Sequence, residues 1–139
     1  MNQTSIIAQI NKLLQSTEMF ARPSKKIPGK WQLYEYYVDE NKELKHIKRE
    51  QLTSEKQNWN IEFAIDKKYI HNTNIAVSII SNVENGSWHI AKNFITLIHP
   101  NDINKNMEFQ FAIEEGNLKL LKKDNLGKIE FFGFFKKLD

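Results

Sequence analysis

The chain is 139 residues long, contains no cysteine and carries a formal net charge of +3 at pH 7. That length suits one domain with a core of its own, and the missing thiols exclude disulfide frameworks, thiol catalysis and cysteine-based zinc sites. Its 20 basic residues spread along nearly the whole chain as a solvated surface, without the clustering that nucleic acid requires, and no stretch has the apolar length of a membrane span.

The first segment reads as an amphipathic helix. Ile6, Ile7, Ile10, Leu13 and Leu14 follow helical spacing, with Gln9, Asn11, Lys12 and Gln15 between them, and Thr4 or Ser5 can cap the start. A secretory leader needs a basic start and an unbroken apolar run; this segment has neither, so a cytoplasmic location is expected. Residues 1–28 are therefore assigned to a helix and its connector, and residues 29–139 to a barrel.

From Gly29 the pattern changes to short alternating segments separated by Asn, Gly and Asp turns, which predicts an all-β fold: an antiparallel up-and-down barrel of about eight or nine strands. Lys30 to Val38 is followed by the turn Asp39 to Lys42, and Glu43 to Glu50 by a polar stretch around Ser54. Trp59, Ile61, Phe63 and Ile65 alternate strictly, and Ile75, Val77 and Ile79 suggest a strand over Ile75 to Ser81. Ser87 to Ala91 and Phe94 to His99 form the next pair, then Met107, Phe109, Phe111 and Ile113 lead through Glu115-Gly116-Asn117 to Leu118 and Leu120. Ile129 to Lys137 closes the series.

The first and last strands are apolar on both faces. In a closed barrel they are neighbours, so Tyr34, Tyr36, Phe132 and Phe134 are expected to form one outward aromatic patch. Either the N-terminal helix covers it through Ile6, Ile10, Leu13 and Leu14, or it is a homodimer contact. The inward set is bulky, with Trp31, Leu33, Trp59, Phe63, Trp88, Phe109 and Phe111 at its heart. A small barrel is only just wide enough for its own side chains, so a filled core and a ligand cavity both stand as readings.

One polar pair stands out. If Asp39 to Lys42 is a four-residue loop, Glu35 falls opposite His46, and both share parity with inward residues, placing a carboxylate beside an imidazole in a partly apolar interior. A shorter loop or a bulge would turn one of them outward. His71, His89 and His99 stand at unrelated spacings and read as surface residues; Glu114-Glu115 and Asp39-Glu40 sit in or beside turns and read as solvated. No metal ligand set, cofactor motif or nucleophile motif is found. Phe131-Phe132-Gly133-Phe134-Phe135 lacks the basic-Gly step and helix order of an RNA-recognition sheet and reads as core.

The Gly29-Lys30-Trp31 start, Gly86-Ser87-Trp88 in a middle strand and the closing Phe134-Phe135-Lys136-Lys137-Leu138 together resemble the bacterial lipocalin-like proteins of the calycin group, over about Ile27 to Asp139. The resemblance implies that Trp31 plugs the closed end of the barrel. The arginine that commonly stacks on it is replaced here by Lys136 or Lys137. It implies non-catalytic binding of a small hydrophobic or amphipathic ligand inside the barrel, by Trp31, Leu33, Trp59, Phe63, Trp88, Phe109 and Phe111, with Glu35 or His46 as polar anchors. Two other readings remain: a side-chain-filled interaction module working through its outer patch, and a small calycin-type isomerase or lyase using Glu35 and His46.

Overall fold

Alternating apolar residues after Gly29 bury one side of most strands, and the result among the described residues is nine antiparallel strands. The computed structural model describes residues 23–77, 80 and 85–138, so the predicted N-terminal amphipathic helix lies outside the described residues. A short helix α1 (Pro23–Lys26) precedes β1 (Gly29–Glu40), β2 (Glu43–Ile47), helix α2 (Arg49–Ser54), β3 (Trp59–Phe63) and β4 (Lys68–Thr73). Then come β5 (Asn85–Ala91), β6 (Phe94–Ile98), β7 (Met107–Glu114), β8 (Asn117–Lys123) and β9 (Ile129–Leu138).

The sheet order is β2-β1-β3-β4-β5-β6-β7-β8-β9, and β1 also pairs with β9, which closes an eight-strand barrel with β2 as an extra strand. One edge of β1 serves two partners: Gly29 to Gln32 pair with β3, and Tyr36 to Glu40 pair with β2. The wall therefore parts between β2 and β3, and α2 carries the chain across the gap, anchored by the buried Leu52.

Two bulges decide which side chains enter the barrel. In β1 the register against β9 passes from Leu33↔Phe135 to Glu35↔Phe134, leaving Tyr34 unopposed. Before it Trp31 and Leu33 point inward; after it Tyr36 does, and is 3% exposed. The expected outward Tyr36 is thus corrected: it belongs to the core and stacks on Phe131 at 5.5 Å, while Tyr37 takes its place outside. The second bulge, between Lys122↔Phe131 and Lys123↔Ile129, releases Glu130 from the pairing.

The interior is a packed aromatic column. Trp59 meets Phe109, Phe131 and Phe135 at ring separations of 6.1, 5.8 and 5.3 Å, all tilted or edge-on. A separate apolar cluster, Ala112, Leu121, Ile129 and Phe132 with the half-buried Tyr37, Leu44 and Phe134, lies on the outer side of β1, β7, β8 and β9.

Three strand expectations need correction. Glu43 to Glu50 ends as a strand at Ile47, and Arg49–Ser54 is helical. The strand that follows β3 is Lys68–Thr73, whereas residues 74–77 of the expected Ile75 to Ser81 strand carry no strand pairing, although Ile75 and Ile80 are buried. Ile65 continues the β3 alternation in sequence only, because the chain turns after Phe63 and leaves it 87% exposed.

Candidate functional site

The β1–β2 hairpin is tighter than expected. Glu40 pairs with Glu43, so the loop is Asn41-Lys42 alone, both with positive φ of 54° and 67°. That is the primed two-residue turn whose twist matches a β-ribbon. Relative to a four-residue loop the register moves by two positions, which keeps Glu35 and His46 on one face as diagonal neighbours. They meet at 2.7 Å between His46 Nε2 and Glu35 Oε2. The bulge at Tyr34 turns that face outward, correcting the expected inward placement: the two side chains are 28% and 31% exposed, and the imidazole stacks on Tyr37 at 4.1 Å and 11°. Tyr34 beside them lies under the Arg49 guanidinium at 5.0 Å.

The expected aromatic ligand residues are inside, but engaged with one another. Trp31 is 1% exposed, its Nε1–H donates to the Ile27 carbonyl at 2.8 Å, and Lys137 Nζ stands 5.5 Å from its ring, so Lys137 takes the position over the motif indole. Trp88 donates to the Ala64 carbonyl at 3.0 Å, has Lys67 Nζ at 4.0 Å over its ring and takes Phe63 edge-on at 5.7 Å. Trp59 donates to His71 Nδ1 at 2.9 Å. His71 is therefore not the surface residue expected; it is 3% exposed on the inward side of β4, its Nδ1 accepting and its proton on Nε2. Leu33, Phe109 and Phe111 complete this packing. His99, in contrast, accepts through Nδ1 from the backbone of Asn101 and Asp102 and shapes a turn. Among the described residues no group of three or more histidines and carboxylates could hold a metal ion.

Space opens at the other end of β1. Val38 is seven residues beyond Trp31, about 23 Å along a strand, and there the parting of β2 from β3 leaves a cavity of about 450 Å³ open to solvent. Tyr36, Val38, Ile47 and Val77 give it apolar walls; Asp39, Glu40, Lys45, Glu55 and Glu130 stand around them. The Tyr36 hydroxyl donates to Gln57 Oε1 at 2.7 Å, which fixes the phenol at the boundary between the cavity and the ring column. Burial raises the Tyr36 pKa above the usual tyrosine value; the Gln57 contact opposes this, and Glu55 and Glu40 add to it. Asp39 Oδ1 is buried and, among the described residues, accepts no hydrogen bond.

None of the residues expected to bind ligand from the sequence lines this cavity. Its wall was hidden by the bulges, since the inward parity of Tyr36 and Val38 is opposite to that of Trp31 and Leu33. The signal that could have found part of it is Ile47, the last apolar residue before the charged run Lys48-Arg49-Glu50, which is 4% exposed and faces inward.

A lipocalin-like domain family matches residues 27–120, from the connector before β1 into β8, and the chain belongs to that family. No curated protein matches it.

Proposed function

We propose that this lipocalin-like protein binds a small amphipathic molecule without transforming it, and that it does so at the barrel mouth. The observation that carries the reading is the cavity of about 450 Å³ at the parting of β2 from β3, with an apolar wall and a charged rim. Small-molecule sites lie in the mouths of barrels and join an apolar wall to placed polar groups, which here outnumber the apolar ones and suit an amphipathic ligand. The ring column beneath it, by contrast, has its indole N–H groups already bonded to protein acceptors and offers a floor, not a binding surface.

Steric filling tests the site. Ala76 lines the cavity, and Ala76→Trp is expected to weaken binding of eight-carbon amphiphiles at least about tenfold in calorimetric titration, the factor that 1.4 kcal/mol gives. Unchanged binding in a folded variant would move the site elsewhere. The outer pair Glu35–His46 supplies a control, because Glu35→Gln leaves binding at the mouth unaltered if the pair has no part in it.

A further inference from the structure

The charge around the mouth is opposite in sign to that of the chain. The lining contains four carboxylates, Asp39, Glu40, Glu55 and Glu130, against the single ammonium of Lys45, a local balance of −3 by subtraction, whereas the whole chain carries +3. Resting on the binding reading above, we infer that the ligand of this cavity is an organic amine, a cation with an apolar body, and not a fatty acid or another anionic amphiphile.

The available cations are already engaged. Lys45 Nζ lies 3.4 Å from Glu40 Oε2, and Lys128 Nζ lies 3.6 Å from Asp39 Oδ2. Among the described residues no lysine or arginine is within ion-pair distance of Glu55 or Glu130. A carboxylate ligand would enter a field of like charge in which the one basic residue of the described lining, Lys45, is already paired, while an ammonium would gain attraction from the carboxylates, since like charges oppose and opposite charges assist binding at this range. The carboxylates also come from different walls, on β1, after α2 and on β9, and form no metal-holding group among the described residues. Between them lie Val38, Ile47, Val77 and the edge of Tyr36, surface that suits a hydrocarbon or aromatic body.

Octylamine, octanol and octanoate share one apolar body and differ in head charge, so calorimetric titration of the unaltered protein with the three at neutral pH isolates the head group. The expected order is amine, alcohol, carboxylate, with the amine at least about tenfold tighter than the carboxylate and its advantage shrinking as salt is raised. In the double variant Glu55→Gln/Glu130→Gln the amine falls to the level of octanol, and octanol itself is unchanged. Octanoate binding as tightly as octylamine, or an amine affinity indifferent to salt, would overturn the inference while leaving the mouth site intact, provided Ala76→Trp still weakens all three. Failure of all three probes to bind would remove the site as well.

Discussion

Tyr34 shows how much one residue can decide. Unopposed in the pairing with β9, it shifts every later side chain of β1 to the other face, so Tyr36 is buried against Phe131 and Glu35 goes to the surface. The sequence contains no mark of it, because a bulge needs no special residue and apolar side chains on both faces of β1 fit either parity. Trp31, on the near side of the bulge, was legible for the same reason that Tyr36 was not. Within the column, Trp59 and His71 form the polar contact with most at stake: Trp59→Phe withdraws the N–H that His71 Nδ1 accepts at 2.9 Å in a buried site. Unfolding in urea should show a loss of at least about 2 kcal/mol, combining the lost buried hydrogen bond with the lost ring volume; a loss under about 0.5 kcal/mol would mean the contact carries no weight. Gly133 makes a steric counterpart. A Cβ there would sit 2.8 Å from the Phe131 ring and 3.1 Å from Leu33, so Gly133→Ala is expected to cost about 1 to 3 kcal/mol by overpacking, read from the same urea midpoint.

At the scale of elements, legibility followed alternation. The strands from β5 to β7 repeat their inward apolar residues every second position and run into turns containing Asn, Gly or Asp, so physics and pattern agree. β4 does not: Lys68-Tyr69-Ile70-His71 buries Tyr69 and a histidine while leaving Ile70 59% exposed, which inverts the usual signal. Ile75, Val77 and Ile79 carried the alternation instead, yet β4 pairs with β5 only through Lys68, Tyr69 and Ile70, leaving the following residues 74–77 to run along the mouth as irregular chain. The β1–β2 hairpin offers a quantitative check on turn chemistry. Its Lys42 holds φ at 67°, a left-handed conformation that costs an L side chain about 1 to 2 kcal/mol, while glycine adopts it freely at some loss of chain entropy. Lys42→Gly should therefore stabilise the protein by about 0.5 to 1 kcal/mol, as Gly116 already does in the equivalent β7–β8 turn with its φ of 79°. A lower denaturation midpoint in this variant would show that Lys42 earns its place through a contact rather than by tolerance.

For the molecule as a whole, closure of the barrel followed from apolar faces on the first and last strands, whereas the position of the cavity followed from a parting between β2 and β3 that only three-dimensional pairing reveals. Closure also commits all four tyrosines of the chain to the barrel wall or interior. Burial raises the pKa of each above the usual value: it acts alone at Tyr69, is reinforced by Glu35 at Tyr37, is reinforced by Glu35 and opposed by Arg49 at Tyr34, and at Tyr36 acts with the carboxylates of the mouth against the Gln57 contact. The sign of the consequence is fixed by proton counting. Below about pH 10 folded and unfolded chains both hold these phenol protons and the contribution to stability is fully present. As pH climbs past that point the unfolded chain releases them first, binds fewer protons than the folded one, and stability falls until the folded tyrosines titrate in turn. Tyr36 and Tyr69, at 3% and 2% exposure, dominate, each limited to a slope of about 1.4 kcal/mol per pH unit, with the more exposed Tyr34 and Tyr37 screened by solvent. Tyrosinate absorbance should accordingly rise at higher pH in the folded protein than in urea, with the urea midpoint dropping over the same interval. Coincident titration curves in the two states would contradict the enclosure of Tyr36 between the ring column and the mouth, on which the position of the binding site depends.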